Sequence, residues 1–203
     1  VAPVYKLSTS RLSSRTSYSS MLAGNAAFLP TDFESIATVT VGSGGTSTIT
    51  FSSIPSTYAH LQIRGILRAS RNDAADGIII QYNGDTASNY SSHYVRGSGS
   101  SVGAGSGANQ SSMPIQDAMV GQTGGANMFG TVIIDILDYA NTNKYKTQRS
   151  LGGNDRNGAG YIDFSSGNWR NTNAITSIDI KALYGTGFAQ HSHIALYGIK
   201  AGA

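Results

Sequence analysis

The sequence predicts an all-β chain: a single jelly-roll-like antiparallel β-sandwich with an extended N-terminal arm. Three observations predict it. Short runs that alternate apolar and polar residues recur from residue 33 to residue 200, each bounded by Gly, Asn, Asp or Pro. No stretch carries the 3.6-residue apolar period of an amphipathic helix. Roughly eight to ten such runs, with turn signals at regular spacing, suit a jelly-roll type of sandwich.

Residues 1–31 form a separate segment, and the sandwich is expected over 32–203. Ser and Thr dominate residues 8–20, and the segment holds Lys6, Arg11 and Arg15 with no acid. Such a composition buries too little apolar surface to fold alone. It reads as a disordered tail, or as an arm that orders on a neighbouring subunit. In the second reading Tyr5, Leu7, Tyr18, Met21 and Leu22 are the anchors, and Lys6, Arg11 and Arg15 suit an acidic partner surface.

The strands follow in order. Residues 36–41 (IATVTV) and 46–51 (TSTITF) flank Gly42-Ser43-Gly44-Gly45 and read as a hairpin. Pro55 marks a turn, since proline cannot donate to a ladder. Residues 60–67 place Leu61, Ile63 and Leu67 on one face and His60, Gln62, Arg64 and Ile66 on the other. Residues 77–82 (GIIIQY) form a strand closed by Asn83-Gly84, a strong turn signal. Residues 90–96 make a weaker strand, and residues 97–112 (GSGSSVGAGSGANQSS) read as a flexible surface loop. Residues 113–120 are ambiguous.

The densest β-branched run, residues 132–137 (VIIDIL), predicts the central strand, covered on both faces for most of its length. The DYANTN turn and a wetter returning strand from Lys144 complete a core hairpin. Residues 152–160 read as a second Gly/Asn loop, and residues 161–164 as a short strand. A polar loop over 165–174 carries the single tryptophan, Trp169. Residues 175–184, with Ile178, Ile180, Ala182 and Tyr184 on one face, and residues 193–200 are the last strands.

Composition narrows the chemistry. The 203 residues contain no cysteine, which excludes disulfides and thiolate catalysis. Charged residues are 12%, against about a quarter in ordinary globular proteins. With abundant Gly, Ser, Thr and Tyr this matches extracellular or virion β-proteins. The net charge of +3 lies wholly in residues 1–31, and the remainder is balanced. A nucleic-acid reader carries its basic patch on the folded body, so no nucleic-acid partner is expected. No apolar run approaches the ~18 residues of a membrane-spanning helix. The opening VAPVYKLSTSRLSSR lacks the apolar core of a secretion signal.

The side chains present bear on four chemistries. His191 and His193 would share a strand face and could share a metal, but no third ligand is near in sequence, so no metal is expected. Asp73, Asp76 and the Asn154–Gly158 run offer oxygen ligands, without the closing glutamate of a calcium loop. No paired carboxylates, nucleophile elbow or phosphate loop stands out, so neither enzyme activity nor a cofactor is expected. Trp169, Tyr94, Tyr139, Tyr145 and Tyr161 could stack on sugar rings, Trp169 because it lies in a polar loop where an exposed ring would be meaningful; the alternatives are strand packing or subunit contact for the tyrosines and burial under the loop for Trp169.

Particular stretches carry a family resemblance. FESIATVTVGSGGTSTITFSSIPSTYAHLQIRGILR (Phe33 to Arg68), NGDTASNY (Asn83 to Tyr90), FGTVIIDILDYANTNKYKT (Phe129 to Thr147), WRNTNAITSI (Trp169 to Ile178) and ALYGIK (Ala195 to Lys200) are its segments. Together they resemble a group of tailed-bacteriophage virion proteins, over about 33–200. The resemblance implies a non-enzymatic structural protein on the particle surface, a capsid decoration protein or a tail appendage. It implies self-association, with a homotrimer favoured, and contact with other virion proteins. It assigns no site residue. The alternative is a tail adhesin that binds host surface glycan.

Overall fold

In the computed structural model, residues 33–200 are described. They are almost entirely β: β1 (Phe33–Thr40), β2 (Thr48–Phe51), β3 (His60–Leu67), β4 (Ala75–Tyr82), β5 (Tyr90–Gly97), β6 (Val102–Gln110), β7 (Met113–Val120), β8 (Gly130–Leu137), β9 (Lys146–Asp155), β10 (Gly160–Trp169), β11 (Ile178–Ala182) and β12 (His193–Ile199), with one 3-10 turn at Gln122–Gly124. No helix among the described residues is long and apolar enough to cross a membrane.

The strands form two antiparallel sheets. The larger runs β1-β12-β3-β8-β9-β10-β5-β6 and the smaller runs β2-β11-β4-β7. From β1 to β5 successive strands alternate between the sheets, the jelly-roll-like feature of the connectivity. The two sheets meet through the expected apolar faces. Leu61, Ile63 and Leu67, then Val132, Ile134 and Ile136, pack in one buried cluster with Ile49, Ile78, Ile80, Ile178 and Ile180.

Several expectations fail for identifiable reasons. The runs around Gly42–Gly45 do not pair with each other. β1 pairs with β12 and β2 with β11, so the glycine loop carries the chain from one sheet to the other. Asn83 and Gly84 do adopt the left-handed conformations of a tight turn, with φ of 51° and 67°. That turn likewise joins strands of different sheets. The low-complexity run is not a loop, because residues 102–110 form β6 against β5. Residues 152–155 continue β9, and β10 extends to Trp169.

The β8–β9 hairpin forms as expected, but its surroundings differ. β8 is covered on one face only, and Ile133 and Leu137 are exposed. Lys146, expected on a wetter face, is buried. Its ammonium donates to the carbonyls of Asn141 (2.6 Å), Lys144 (2.9 Å) and Thr172 (2.9 Å). The DYANTN turn is thus tied to the body, and Tyr139 within it is buried with its hydroxyl donating to the Pro55 carbonyl.

Candidate functional site

The outward face of the larger sheet is the most unusual surface among the described residues. Residues directly opposite on paired strands share a face, with Cβ atoms about 5 Å apart. Arg64 pairs with Ile133, Ile133 with Leu151, Leu151 with Phe164, Phe164 with Val95, and Val95 with Ala104. One unbroken row therefore crosses β3, β8, β9, β10, β5 and β6. Leu151 and Phe164, in its middle, are 46% and 53% exposed. The adjacent row adds Ile66, Ile162 and Val102, the last two 60% and 81% exposed. Between the rows lies an open groove of about 1030 Å³, whose walls include Ile66, Ile133, Leu151 and Ile162.

The third row is polar, and its charges are already engaged. Arg64 donates to Gln62 (2.7 Å), Gln62 to Asp135 (2.7 Å), and Arg149 to Asp135 (3.1 Å). The Arg64 guanidinium also lies over the Phe33 ring, which stacks on Tyr197. This face therefore presents hydrocarbon beside a strip whose two guanidinium groups and one carboxylate are all hydrogen-bonded to neighbours on the same face.

The opposite face of the same strands inverts the usual pattern. On β9 and β10 the inward residues include Gln148, Ser150, Asn154, Asp163 and Ser165, all buried. Leu151, Ile162 and Phe164 point outward. The inward groups form a polar layer beneath β7. Ser150 and Ser165 bond to each other at 2.6 Å, Gln148 accepts from Tyr82, Arg96 pairs with Asp117 at 2.6 Å, and Asn154 donates to the Asp117 carbonyl at 2.7 Å. Asp163 is fully buried, and among the described residues neither carboxylate oxygen has a partner at full hydrogen-bond geometry, the Ser165 hydroxyl being only a weak neighbour. Burial raises its pKa to about 6, an effect that Ser165 and Arg96 offset only in part and Asp117 reinforces.

The aromatic platform is not assembled. Trp169 is 1% exposed, held between Tyr82 and Tyr90 with ring centroids at 5.6 and 6.3 Å. It sits at the end of β10, where strand alternation turns it inward, so its ring offers no face to a sugar. Tyr94 is half-buried and lies across β6: a Cβ on Gly105 would stand 2.7 Å from its hydroxyl. Tyr161 is half-buried beneath the guanidinium groups of Arg96 and Arg156.

The other candidates are placed as follows. His193 begins β12 and its Nδ1 is 2.8 Å from the Thr40 hydroxyl, while His191 occupies a turn at φ 71° before the strand begins. They do not share a strand face, and no group of three or more metal-binding side chains occurs among the described residues. Asp76 accepts from the backbone N–H groups of Gly77, Tyr184 and Gly185, and Asp73 pairs with Arg71. Tyr5, Lys6, Leu7, Arg11, Arg15, Tyr18, Met21 and Leu22 lie outside the described residues.

The apolar rows are hard to see in the sequence because Leu151 and Phe164 stand at the ends of short runs, each beside a Gly-, Ser- and Asn-rich segment that reads as a loop. A signal was present: Ile162-Asp163-Phe164 and Ser150-Leu151-Gly152 continue the alternation with its phase reversed.

No family model and no curated protein matches the chain. Among solved structures, the Caenorhabditis elegans galectin LEC-6 is similar at 10% identity, over 81% of this chain and 96% of that one, with a TM-score of 0.33. A protein of unknown function from Shewanella oneidensis MR-1 is similar at 10% identity, over 84% of this chain and 77% of that one, with a TM-score of 0.21. Likenesses this distant bear on no functional property.

Proposed function

We propose that this chain is a non-enzymatic structural subunit of a tailed-phage virion, a capsid decoration protein or a tail appendage component on the particle surface. It seats on a neighbouring virion protein through the outward face of its larger sheet. The observation that carries the reading is the inverted β9–β10 pair. A sheet that buries Asp163, Ser150 and Ser165 while exposing Leu151, Ile162 and Phe164 forgoes core stability for an apolar surface. The two outward rows expose Ile66, Leu151, Ile162, Phe164 and Val102 side by side, a contiguous apolar patch of the kind that marks an interaction site. The virion context comes from the sequence resemblance, and low charge and self-paired polar groups on this face suit contact with protein.

The test uses virions purified from the genome that encodes this chain, with the chain labelled and imaged on the particle. The expected result is label at regular positions on head or tail. A Leu151→Glu/Phe164→Glu variant, changed at outward positions only, should keep its thermal midpoint and lose its place on the particle. Virions without the chain, or normal occupancy by the variant, would overturn the reading.

A further inference from the structure

We infer that β6 is an edge through which two copies of this chain join, antiparallel and across a two-fold axis, into one continuous sheet. This rests on the assembly reading above and names a partner and a surface for it. Exposed edge strands invite pairing, and proteins guard them with charge, proline, bulges or brevity. Three of the four edges here are guarded. β1 carries a bulge between Ser35 and Ala37 and the Glu34–Lys200 ion pair. β2 is four residues long. β7 contains Pro114 and Asp117, and its pairing with β4 is interrupted.

The fourth edge lacks these guards along most of its length. β6 reads VGAGSGANQ over nine residues, without a charge or a proline. Its one irregularity falls near its end, opposite Tyr90 and Ser92, so Val102–Gly107 is regular strand. The edge turned away from β5 has no hydrogen-bond partner among the described residues.

The glycines explain how so plain a strand is held in place. Gly103, Gly105 and Gly107 share the inward face, opposite Arg96, Tyr94 and Ser92. A Cβ at Gly105 would meet the Tyr94 ring, and one at Gly107 would meet the Gln110 side chain. The strand gives up its own side chains so that its neighbours can lie across it, as when an aromatic ring covers a glycine on a facing strand. The run is therefore built as a strand, and its outer edge is the part without a partner among the described residues.

A second copy fits that edge. An antiparallel pair centred on Gly105 sets Gly103 against Gly107 and Ala104 against Ser106 of the other copy, all within the regular part of the strand. Every pair is small and uncharged. A two-fold axis normal to the sheet puts the outward faces of both copies on the same side. Ala104 ends the apolar row described above and Ser106 ends the polar one, so across the join each apolar row would run into the other copy's polar row on the same side of the sheet.

Sedimentation velocity on the full chain, from low to high micromolar concentration, tests this directly. The expected result is a monomer–dimer equilibrium. An Ala104→Lys/Ser106→Lys variant sets like charges opposite each other across the axis at outward positions. It should weaken association at least tenfold with an unchanged thermal midpoint. An Ala104→Cys/Ser106→Cys variant, in a chain with no other cysteine, should form a covalent dimer on mild oxidation. A chain monomeric at every concentration would overturn the inference. So would undiminished association of the lysine variant, or failure of the cysteine variant to cross-link, which would mean that association runs through another surface. None of these outcomes depends on virion location, so this contact and the virion reading can fail separately.

Discussion

The indole Nε1 of Trp169 donates to Asp85 Oδ2 at 2.7 Å, which joins the end of β10 to the turn that follows β4. Asp85 also accepts from the Asn89 side chain and the Ala87 N–H. Burial opposes its ionisation, yet these donors together hold its pKa below the ordinary aspartate value. The ring stacks on Tyr90, whose hydroxyl donates to the Asp85 carbonyl. Trp169 is thus a packing residue. Trp169→Ala should cost about 3–5 kcal/mol, the range for deleting a buried aromatic. Trp169→Phe keeps most of the ring and loses the donor, and should cost about 1–3 kcal/mol. Denaturant titration followed by far-UV circular dichroism reads both. A loss below about 1 kcal/mol for the alanine variant would contradict the buried placement.

Lys146 gives the second prediction. Its ammonium is the shared donor for the carbonyls of Asn141, Lys144 and Thr172. Burial, with Lys144 nearby, lowers its pKa, so the carbonyl cage offsets a real desolvation cost. Lys146→Met preserves the stem and leaves those carbonyls without their donor. The expected loss is about 2–4 kcal/mol, from the worth of hydrogen bonds to a charged group and the cost of breaking a buried polar cluster. Amide exchange should quicken first at residues 138–144. Uniform protection there in the variant would show that the turn holds without the lysine.

What the sequence disclosed followed from alternation where it was in phase with burial. The period sets Leu61, Ile63 and Leu67 on one face of their strand and Val132, Ile134 and Ile136 on one face of theirs, and all six are buried, although the second strand is covered on that face only. Two features were hidden. Strand pairing between sheets depends on which neighbour each strand meets, and the Gly42–Gly45 loop looks the same whether it closes a hairpin or crosses the sandwich. Composition misled at β6, where glycine provides room for Tyr94 and was read as flexibility. At Trp169 the sequence leaves a sugar-facing ring and a ring buried under its loop as alternatives, and the ring is buried while Asn168 and Arg170 alternate outward. The outward rows were legible only as a reversed phase, and that reads as a strand only once β9 and β10 are known to be longer than their polar sequences imply.

Asp163 gives a pH dependence whose sign is fixed. Its folded pKa of about 6 stands above the roughly 3.9 of an unfolded aspartate. Between these values the folded chain binds more protons than the unfolded one, so this group's contribution falls as pH rises through the window. Its stabilising share is complete below about pH 4 and is lost above about pH 6, a change of roughly 3 kcal/mol. Glu34 and Asp138, held below their usual pKa chiefly by hydrogen bonds from Lys200 and Lys144, act in the opposite sense at lower pH. The clean reading is therefore a difference. Denaturant midpoints at pH 4.5, 5.5, 6.5 and 7.5 should fall for the native chain relative to Asp163→Asn across the interval. Parallel profiles would mean that Asp163 does not titrate there.

Tyr94 and Gly105 supply the last prediction, a change of sign. A methyl at Gly105 would stand 2.7–2.8 Å from the ring tip of Tyr94, closer than real Cβ atoms approach, so the ring must move or the strand must shift. Gly105→Ala should therefore destabilise the native chain by about 1–2 kcal/mol, as overpacking does. With Tyr94→Ala already in place the space is empty. The same Gly105→Ala should then stabilise by about 0.5–1 kcal/mol, because alanine loses less backbone freedom than glycine in a strand. A double-mutant cycle measured by urea unfolding gives the coupling between the two positions directly. Additive effects would show that Tyr94 does not cover β6. Coupling of the expected sign would establish that glycine in this strand makes room for a neighbour's ring, which is how a run without charge or large side chains is held against β5.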